Sequence, residues 1–119
     1  MKPSELRDRC LALPGAEETF PFGPENSVFK VAGKVFALSR LDANPLRVSL
    51  KCEPALAEQL REAHAAVIPG YHLNKRHWNT VELDDSVPDE ELLDLIDHSY
   101  DLVVSTLTKA QRDSLPPRP

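Results

Sequence analysis

The sequence predicts a small α+β domain whose elements follow the order α-β-β-β-α-β-α. Three segments repeat apolar residues at helical spacing, and segments between them alternate apolar and polar residues as strands do. A chain of 119 residues can bury one hydrophobic core, and its 41% hydrophobic and 28% charged content is typical of a globular protein. We therefore expect one domain over residues 1–112.

The N-terminal helix is predicted from residue 3 or 4 to about residue 13. Apolar residues recur there at i, i+4 and i+7, and a Pro-Gly pair ends the pattern. Residues 17–25 then hold two prolines and a glycine around Phe20 and Phe22. This composition predicts an extended loop that is pinned by its two aromatic side chains.

A hairpin and a third strand are predicted next. Ser27–Ala32 and Lys34–Arg40 form the hairpin, because Gly33 can supply the positive φ that a tight turn needs. A turn at residues 42–45 leads into the third strand, Leu46–Lys51, which alternates two apolar residues with three polar ones (Val48 and Leu50 against Arg47, Ser49 and Lys51). This alternation predicts a sheet with one buried face and one wet, basic face.

The second half of the chain reads as α-β-α. A second helix runs from Pro54 to about Ala65, and a fourth strand covers His77–Leu83. The last helix starts at Pro88, whose three acidic successors suit the helix N-terminus, and runs to about Thr108. Its outer side carries an acidic ridge made of Glu90, Asp94, Asp97 and Asp101. The Pro-rich tail over residues 113–119 is predicted to be disordered.

Several classes of protein are excluded by what the sequence lacks. No apolar run approaches the roughly 18 residues of a membrane span, and the N-terminus lacks the apolar core of a secretory signal. Cys10 and Cys52 have neither CxxC nor metal-site spacing, so we interpret them as buried thiols in a reducing cytoplasm. A disulfide between them stays an alternative.

No recognisable catalytic or metal-binding motif is present. The sequence contains no GxSxG, P-loop or GxGxxG, and four glycines are few for a phosphate-cradling loop. His72 and His77 are five residues apart, which matches no zinc pattern. Cys52 lies near a predicted helix N-terminus, where a thiolate would be favoured, although a buried thiol is the simpler reading. We expect a non-enzymatic protein without metal or cofactor.

The most informative segment is Pro69–Val81, which contains an adjacent Lys-Arg pair, two histidines and the only tryptophan. Cations neutralise phosphates and aromatic rings stack on unpaired bases, so the segment suits a nucleic acid. Residues 26–80 carry net charge +4 and the remainder −9, a division that can mark a nucleic-acid face. The candidate nucleic-acid-binding residues are Lys75, Arg76, His77, Tyr71 and Trp78, extended by Lys30, Lys34, Arg47 and Lys51. The alternative is that Tyr71 and Trp78 close one end of the core.

Pro69–Val81 also resembles the signature of the MmcQ/YjbR family. The resemblance continues over most of the chain, from about residue 6 to residue 112, and includes Phe29–Ala37, Leu50–Cys52, Val87–Leu92 and Ser99-Tyr100. It implies a twisted antiparallel sheet packed against helices, similar to secretion-chaperone-like folds. The family is commonly labelled DNA-binding, and a double-wing contact would use the hairpin tips near Gly33 and Asn74.

The resemblance and the residues together lead to one expected function and one alternative. We expect weak, salt-dependent and largely sequence-independent binding of DNA by a cytoplasmic monomer that has no membrane partner. The alternative is a protein-interaction module, chaperone-like or adaptor-like, with no nucleic-acid role. Either the acidic ridge or an exposed sheet edge would then meet the partner.

Overall fold

The computed structural model describes residues 1–70 and 73–118; Tyr71, His72 and Pro119 lie outside the described residues. The described chain forms helices and strands that confirm the predicted α+β class. The helices are α1 (Pro3–Leu11), α2 (Pro54–Ala63), α3 (Asp89–Ser105) and α4 (Lys109–Asp113). The strands are β1 (Ala16–Thr19), β2 (Ser27–Val31), β3 (Lys34–Ser39), β4 (Arg47–Lys51), β5 (Val67–Pro69) and β6 (Trp78–Glu82).

The observed order is α-β-β-β-β-α-β-β-α-α. The predicted order therefore lacked three short elements, which are β1, β5 and α4. β1 has the sequence Ala-Glu-Glu-Thr, which shows no apolar alternation, and it exists because it pairs with β2. β5 has three residues, too few for a recognisable period. α4 begins at a capping box between Thr108 and Gln111, where a single longer helix was predicted to end. Each of these elements depends on pairing or capping rather than on an apolar repeat.

The strands form one antiparallel sheet in the order β1-β2-β3-β4-β6-β5. The predicted hairpin joins β2 to β3 through Ala32 and Gly33, with φ of 49° and 78°. Positive φ at both central residues matches the twist of the flanking strands, which is why such turns join hairpins. The predicted hairpin and the role of Gly33 are confirmed.

Helices cover one face of the sheet and form the core against it. Phe36 is fully buried there, with its ring centroid 6.5 Å from that of Phe29 and 5.4 Å from that of Tyr100, which it meets edge to face. Apolar side chains of α3 complete the layer, among them Leu92, Leu95, Ile96 and Val103. Burial of these aliphatic and aromatic groups is the main stabilising term for a domain of this size.

Ser99 on α3 is hydrogen-bonded to the sheet beside the bulge between β2 and β3. Its Oγ donates a hydrogen bond to the carbonyl of Phe36 (2.6 Å) and accepts one from the backbone N–H of Lys51 (2.8 Å). The last β3–β4 pair at this end of the ladder is Ala37 with Leu50, so Phe36 and Lys51 lie just beyond it. The bulge between β2 and β3 is at the same place. The buried hydroxyl therefore satisfies two backbone groups that the strands leave unpaired there.

The tail for which the sequence predicts disorder lies against the body of the protein as far as residue 118. Leu115 is half-buried against the core, and the Arg118 guanidinium sits 5.0 Å from the ring centroid of Tyr100 and pairs with Asp101. Three prolines prevent a helix or a ladder here, but they do not prevent packing. Within the described chain, no helix is long and apolar enough to cross a membrane.

Candidate nucleic-acid interface on the open sheet face

The face of the sheet away from the helices, called the open face here, carries the predicted site. Val48 and Leu50 on β4 and Val81 on β6 point into the core. Because side chains alternate along a strand, their immediate neighbours on β4 and β6 point to the open face. The cross-strand pairs on this side of β4 and β6 are Arg47 with Glu82, Ser49 with Thr80, and Lys51 with Trp78. The predicted division of the third strand into a buried and a polar face is therefore confirmed.

One end of the sheet brings five candidate residues together. β4 ends at Lys51 where β6 begins at Trp78, and the turn over residues 74–77 leads directly into β6. Lys75 and Arg76 are exposed, His77 and Trp78 are half-buried, and Lys51 is half-buried opposite the indole. We call Lys51, Lys75, Arg76, His77 and Trp78 the basic end.

Three hydrogen bonds to its backbone hold the turn that carries the basic end. Asn74 Oδ1 accepts from the N–H of Arg76 (2.9 Å), and the carbonyl of His77 accepts from the N–H of Cys52 (2.8 Å). The guanidinium of Arg61 on α2 donates to the carbonyl of Lys75 (3.1 Å). These contacts fix the backbone that carries the two exposed cations, and Lys75 Nζ itself donates to the carbonyl of Gly70 (3.4 Å).

Gly70 permits the close approach of the segment that precedes the turn. Its N–H donates to the carbonyl of Trp78 (2.8 Å), and a Cβ added to it would lie 2.7 Å from the Cβ of Trp78. A side chain at position 70 would push this backbone away from β6. Tyr71, the other predicted aromatic residue, lies outside the described residues.

Three predicted cations do not join the basic end. Lys34 pairs in register with the buried Val31, so it points to the helix side, where its Nζ meets the carbonyl (3.4 Å) and Oγ1 (3.1 Å) of Thr106 at the end of α3. A lysine there complements the negative end of the helix. Lys34 therefore lies on the helix side of the sheet, away from the cations of the basic end.

Arg47 and Lys30 are on the open face but are placed elsewhere on it. Arg47 starts β4 at the opposite end of the sheet and pairs with Glu82, Nη2 to Oε1, at 2.8 Å. Lys30 lies on β2, two strands from Lys51, which is about 10 Å, and directly opposite Glu17. The open face is therefore mixed in charge, and the part of the chain that the structure describes shows no ion pair for Lys51, Lys75 or Arg76 of the basic end.

A cleft that no sequence pattern predicted lies on the open face and includes Arg47. The open-face cleft has a volume of about 770 Å³ and is lined by residues that include Phe22, Val28, Leu38, Arg40, Arg47 and Leu73. Phe22 was expected to pin its loop, yet its exposed fraction is 70%, and that of Phe20 is 49%. The sequence shows only an aromatic pair in a Pro-rich loop. It does not show which strands the loop lies against, so it could not predict the cleft.

Both thiols are buried and unpaired, as predicted. Burial raises the pKa of Cys10 to about 12 and that of Cys52 to about 11. For Cys52 this is the opposite of the thiolate that a helix N-terminus would favour. Among the described residues, no three His, Cys, Asp or Glu side chains converge as metal ligands.

The raised thiol pKa values predict slow alkylation and an alkaline loss of stability. The folded state favours the protonated thiols, so the stabilisation is complete below their ordinary pKa of 9.0 and is lost as the pH rises through 11 and 12. We expect iodoacetamide to modify both thiols, near pH 8, far more slowly than the unfolded chain. Mass spectrometry of the native protein and of Cys52→Ser identifies the thiol that reacts; rapid native modification of either would contradict this prediction.

The family is identified by comparison with known proteins. A family model described as YjbR matches residues 11–102. The chain belongs to the YjbR family. The YjbR protein of Escherichia coli K12, described as uncharacterized, is 43% identical over 115 residues, which cover 97% of this chain and 98% of that protein. The uncharacterized YbdF of Escherichia coli O157:H7 is 39% identical over 91% of this chain and 88% of its own length.

Solved structures of similar proteins share the fold of this YjbR-family chain. Deinococcus radiodurans protein DR2400, described as a DUF419 domain, superposes with a TM-score of 0.89 at 47% identity, covering 94% of this chain and 86% of its own. A Pseudomonas syringae protein superposes with a TM-score of 0.74 at 26% identity, covering 86% and 98%. The resemblance to the YjbR family and the α+β fold with an antiparallel sheet are therefore confirmed.

Proposed function

We propose that this YjbR-family protein is a non-enzymatic cytoplasmic monomer that makes weak, largely sequence-independent contacts with DNA or RNA through its basic end. The observation that carries the proposal is the direct cross-strand pairing of Lys51 with Trp78 beside the exposed Lys75 and Arg76. Side chains paired in this way have Cβ atoms about 5 Å apart. A base stacked on the indole would thus place its phosphate within reach of a lysine.

The arrangement favours a single strand over a duplex. A tryptophan can stack only on an unpaired base, whereas the three lysine and arginine side chains of the basic end can meet a phosphate in either form. With about three phosphates neutralised, the logarithm of the binding constant should fall with the logarithm of salt at a slope of about −2. The net charge of −5 and the Glu17 and Glu82 carboxylates on the open face keep the interaction weak.

An amide-resolved NMR titration tests the proposal. Labelled protein receives a short single strand or the matching duplex at low and at physiological salt. We expect shifts over Lys51, Cys52 and residues 73–78, larger for the single strand and reduced by salt. Equal shifts over the whole open face, or no shift at low salt, would refute the proposal, because even non-specific phosphate contacts are strongest there.

Protein interaction is the second candidate, and the two exposed phenylalanines favour it. Phe20 and Phe22 lie in one loop, and aromatic residues of this kind are enriched in protein interfaces. Binding that ignores salt and survives charge reversal at Lys75 and Arg76 would support this candidate. Binding that salt abolishes would support the nucleic-acid function instead.

A further inference from the structure

The open-face cleft adjoins the basic end, because its Ser49–Thr80 pair is the next pair along the same face from Lys51–Trp78. Its floor includes the half-buried Leu38 on β3, whose cross-strand neighbour Val28 on β2 is only 1% exposed. Ser49 and Thr80 continue the floor on β4 and β6, where their hydroxyl oxygens are 2.8 Å apart. Four strands therefore contribute to one surface, so the shape of the cleft is set by the sheet rather than by a loop alone.

The dimensions of the cleft suit a small organic molecule. Ligand pockets usually have volumes of about 300–1,000 Å³ and are mostly apolar with a few polar groups, and this cleft has a volume of about 770 Å³. Phe22 and Leu73 also line the cleft. A bound apolar group would cover Phe22, which otherwise leaves 70% of its surface in water.

The wall that carries Phe22 is a short, hydrogen-bonded turn. The N–H of Gly23 donates to the carbonyl of Phe20 (3.4 Å), and the N–H of Asn26 donates to the carbonyl of Gly23 (3.2 Å). Pro21 and Pro24 restrict the backbone on both sides of the aromatic residue. Because the backbone that carries Phe22 is already restricted in the free protein, ligand binding costs less conformational entropy than it would with a flexible loop.

The cleft carries two cations, each of which is paired with a carboxylate. Arg40 and Arg47 line it, and within the described chain no aspartate or glutamate does. Each guanidinium is oriented by a carboxylate outside the lining: Arg40 Nε bonds Asp42 at 2.9 Å, and Arg47 Nη2 bonds Glu82 at 2.8 Å. One nitrogen of each guanidinium is used in these pairs, and a guanidinium presents five N–H groups, so each can still donate to an anion.

We propose that the open-face cleft binds a small amphiphilic carboxylate. Its apolar body lies on Leu38 against Phe22, and its carboxylate is bound by the guanidinium groups of Arg40 and Arg47. A neutral molecule of the same shape would gain the apolar contacts alone. The inference does not depend on nucleic-acid binding, because none of these residues belongs to the basic end.

Competition against a fluorescent probe tests the proposal. 8-Anilinonaphthalene sulfonate, itself an amphiphilic anion, is titrated into the native protein and then displaced by decanoate, with decanol as the uncharged equivalent. We expect decanoate to displace the probe with a Kd below about 1 mM and decanol to bind at least about tenfold more weakly, since a charge-assisted hydrogen bond is lost. Amide shifts should fall on Val28, Leu38 and Ser49.

Substitutions at exposed positions test the carboxylate-binding arginines and the apolar Phe22 contact separately, without changing the core. Arg40→Gln and Arg47→Gln should each weaken decanoate binding about tenfold and leave decanol unchanged. Phe22→Ala should weaken both ligands by about threefold or more. The matched controls are Arg118→Gln, an exposed arginine paired with Asp101 outside the cleft lining, and Phe20→Ala, the exposed neighbour that does not line it.

Each outcome decides the proposal. Loss of binding in the cleft variants with retention in both controls supports the site and its charge preference. Equal binding of decanol and decanoate overturns the carboxylate assignment, and equal effects of Phe20→Ala and Phe22→Ala overturn the location. No displacement of the probe by either compound, up to about 1 mM, overturns the site altogether.

Discussion

Charge reversal of Lys75 and Arg76 is expected to raise the Kd for single-stranded nucleic acid by at least about 100-fold, to beyond detection. Both side chains are exposed on a turn that hydrogen bonds hold to α2 and β4, so Lys75→Glu with Arg76→Glu should leave the fold intact. The variant removes two cations and adds two repulsive charges where the phosphates would lie. The measurement is fluorescence anisotropy of a labelled strand over a series of salt concentrations.

A second pair of cations supplies the matched control. Lys109 and Arg112 are exposed on α4, so Lys109→Glu with Arg112→Glu changes the net charge equally without touching the basic end. We expect this control to weaken binding by no more than a few-fold. If both double variants lost binding equally, overall charge would account for the effect and the basic end would not be a binding site.

Truncation of Phe36 is expected to lower the free energy of unfolding by about 3–5 kcal/mol. Its side chain is fully buried between the rings of Phe29 and Tyr100, so Phe36→Ala leaves a cavity that the β-sheet cannot close. A domain of this size is stabilised by roughly 5–15 kcal/mol, so the variant loses a large part of its stability. Urea denaturation followed by circular dichroism measures the change.

Phe22→Ala is the control for the same chemical change at an exposed position. Because Phe22 leaves 70% of its surface in water, its truncation should alter the free energy of unfolding by no more than about 0.5 kcal/mol. A loss below about 1 kcal/mol for Phe36→Ala would show that this ring does not lie at the centre of the core.

Local patterns predicted the elements that are stabilised locally. The acidic first turn and apolar repeat of α3, the proline at the start of α2, and the glycine of the β2–β3 turn are each visible within a few residues. The predicted end of the last helix was three residues too late, since Thr106 caps α3 and Thr108 starts α4. A helix end is set by one or two hydrogen bonds, so an apolar period locates it less accurately than the helix itself.

Strands β1 and β5 depend on distant partners. Ala16–Thr19 pairs with β2 and Val67–Pro69 pairs with β6, and neither shows an alternation of its own. Their ladder hydrogen bonds require the neighbouring strand as a partner. A window of sequence does not contain the partner strand, so it cannot show the pairing.

The amino-acid sequence by itself determined the fold class, the family resemblance and the polar alternation that places Arg47 and Lys51 on one side of β4. Only the tertiary structure decided which cations share a surface. Lys34 points to the helices, Arg47 meets Glu82 at the far end of the sheet, and Lys51 meets Trp78 beside Lys75. The physical reason is that alternation fixes the face of a residue, whereas strand order and register, which fix its neighbours, arise from burial and pairing across the whole sheet.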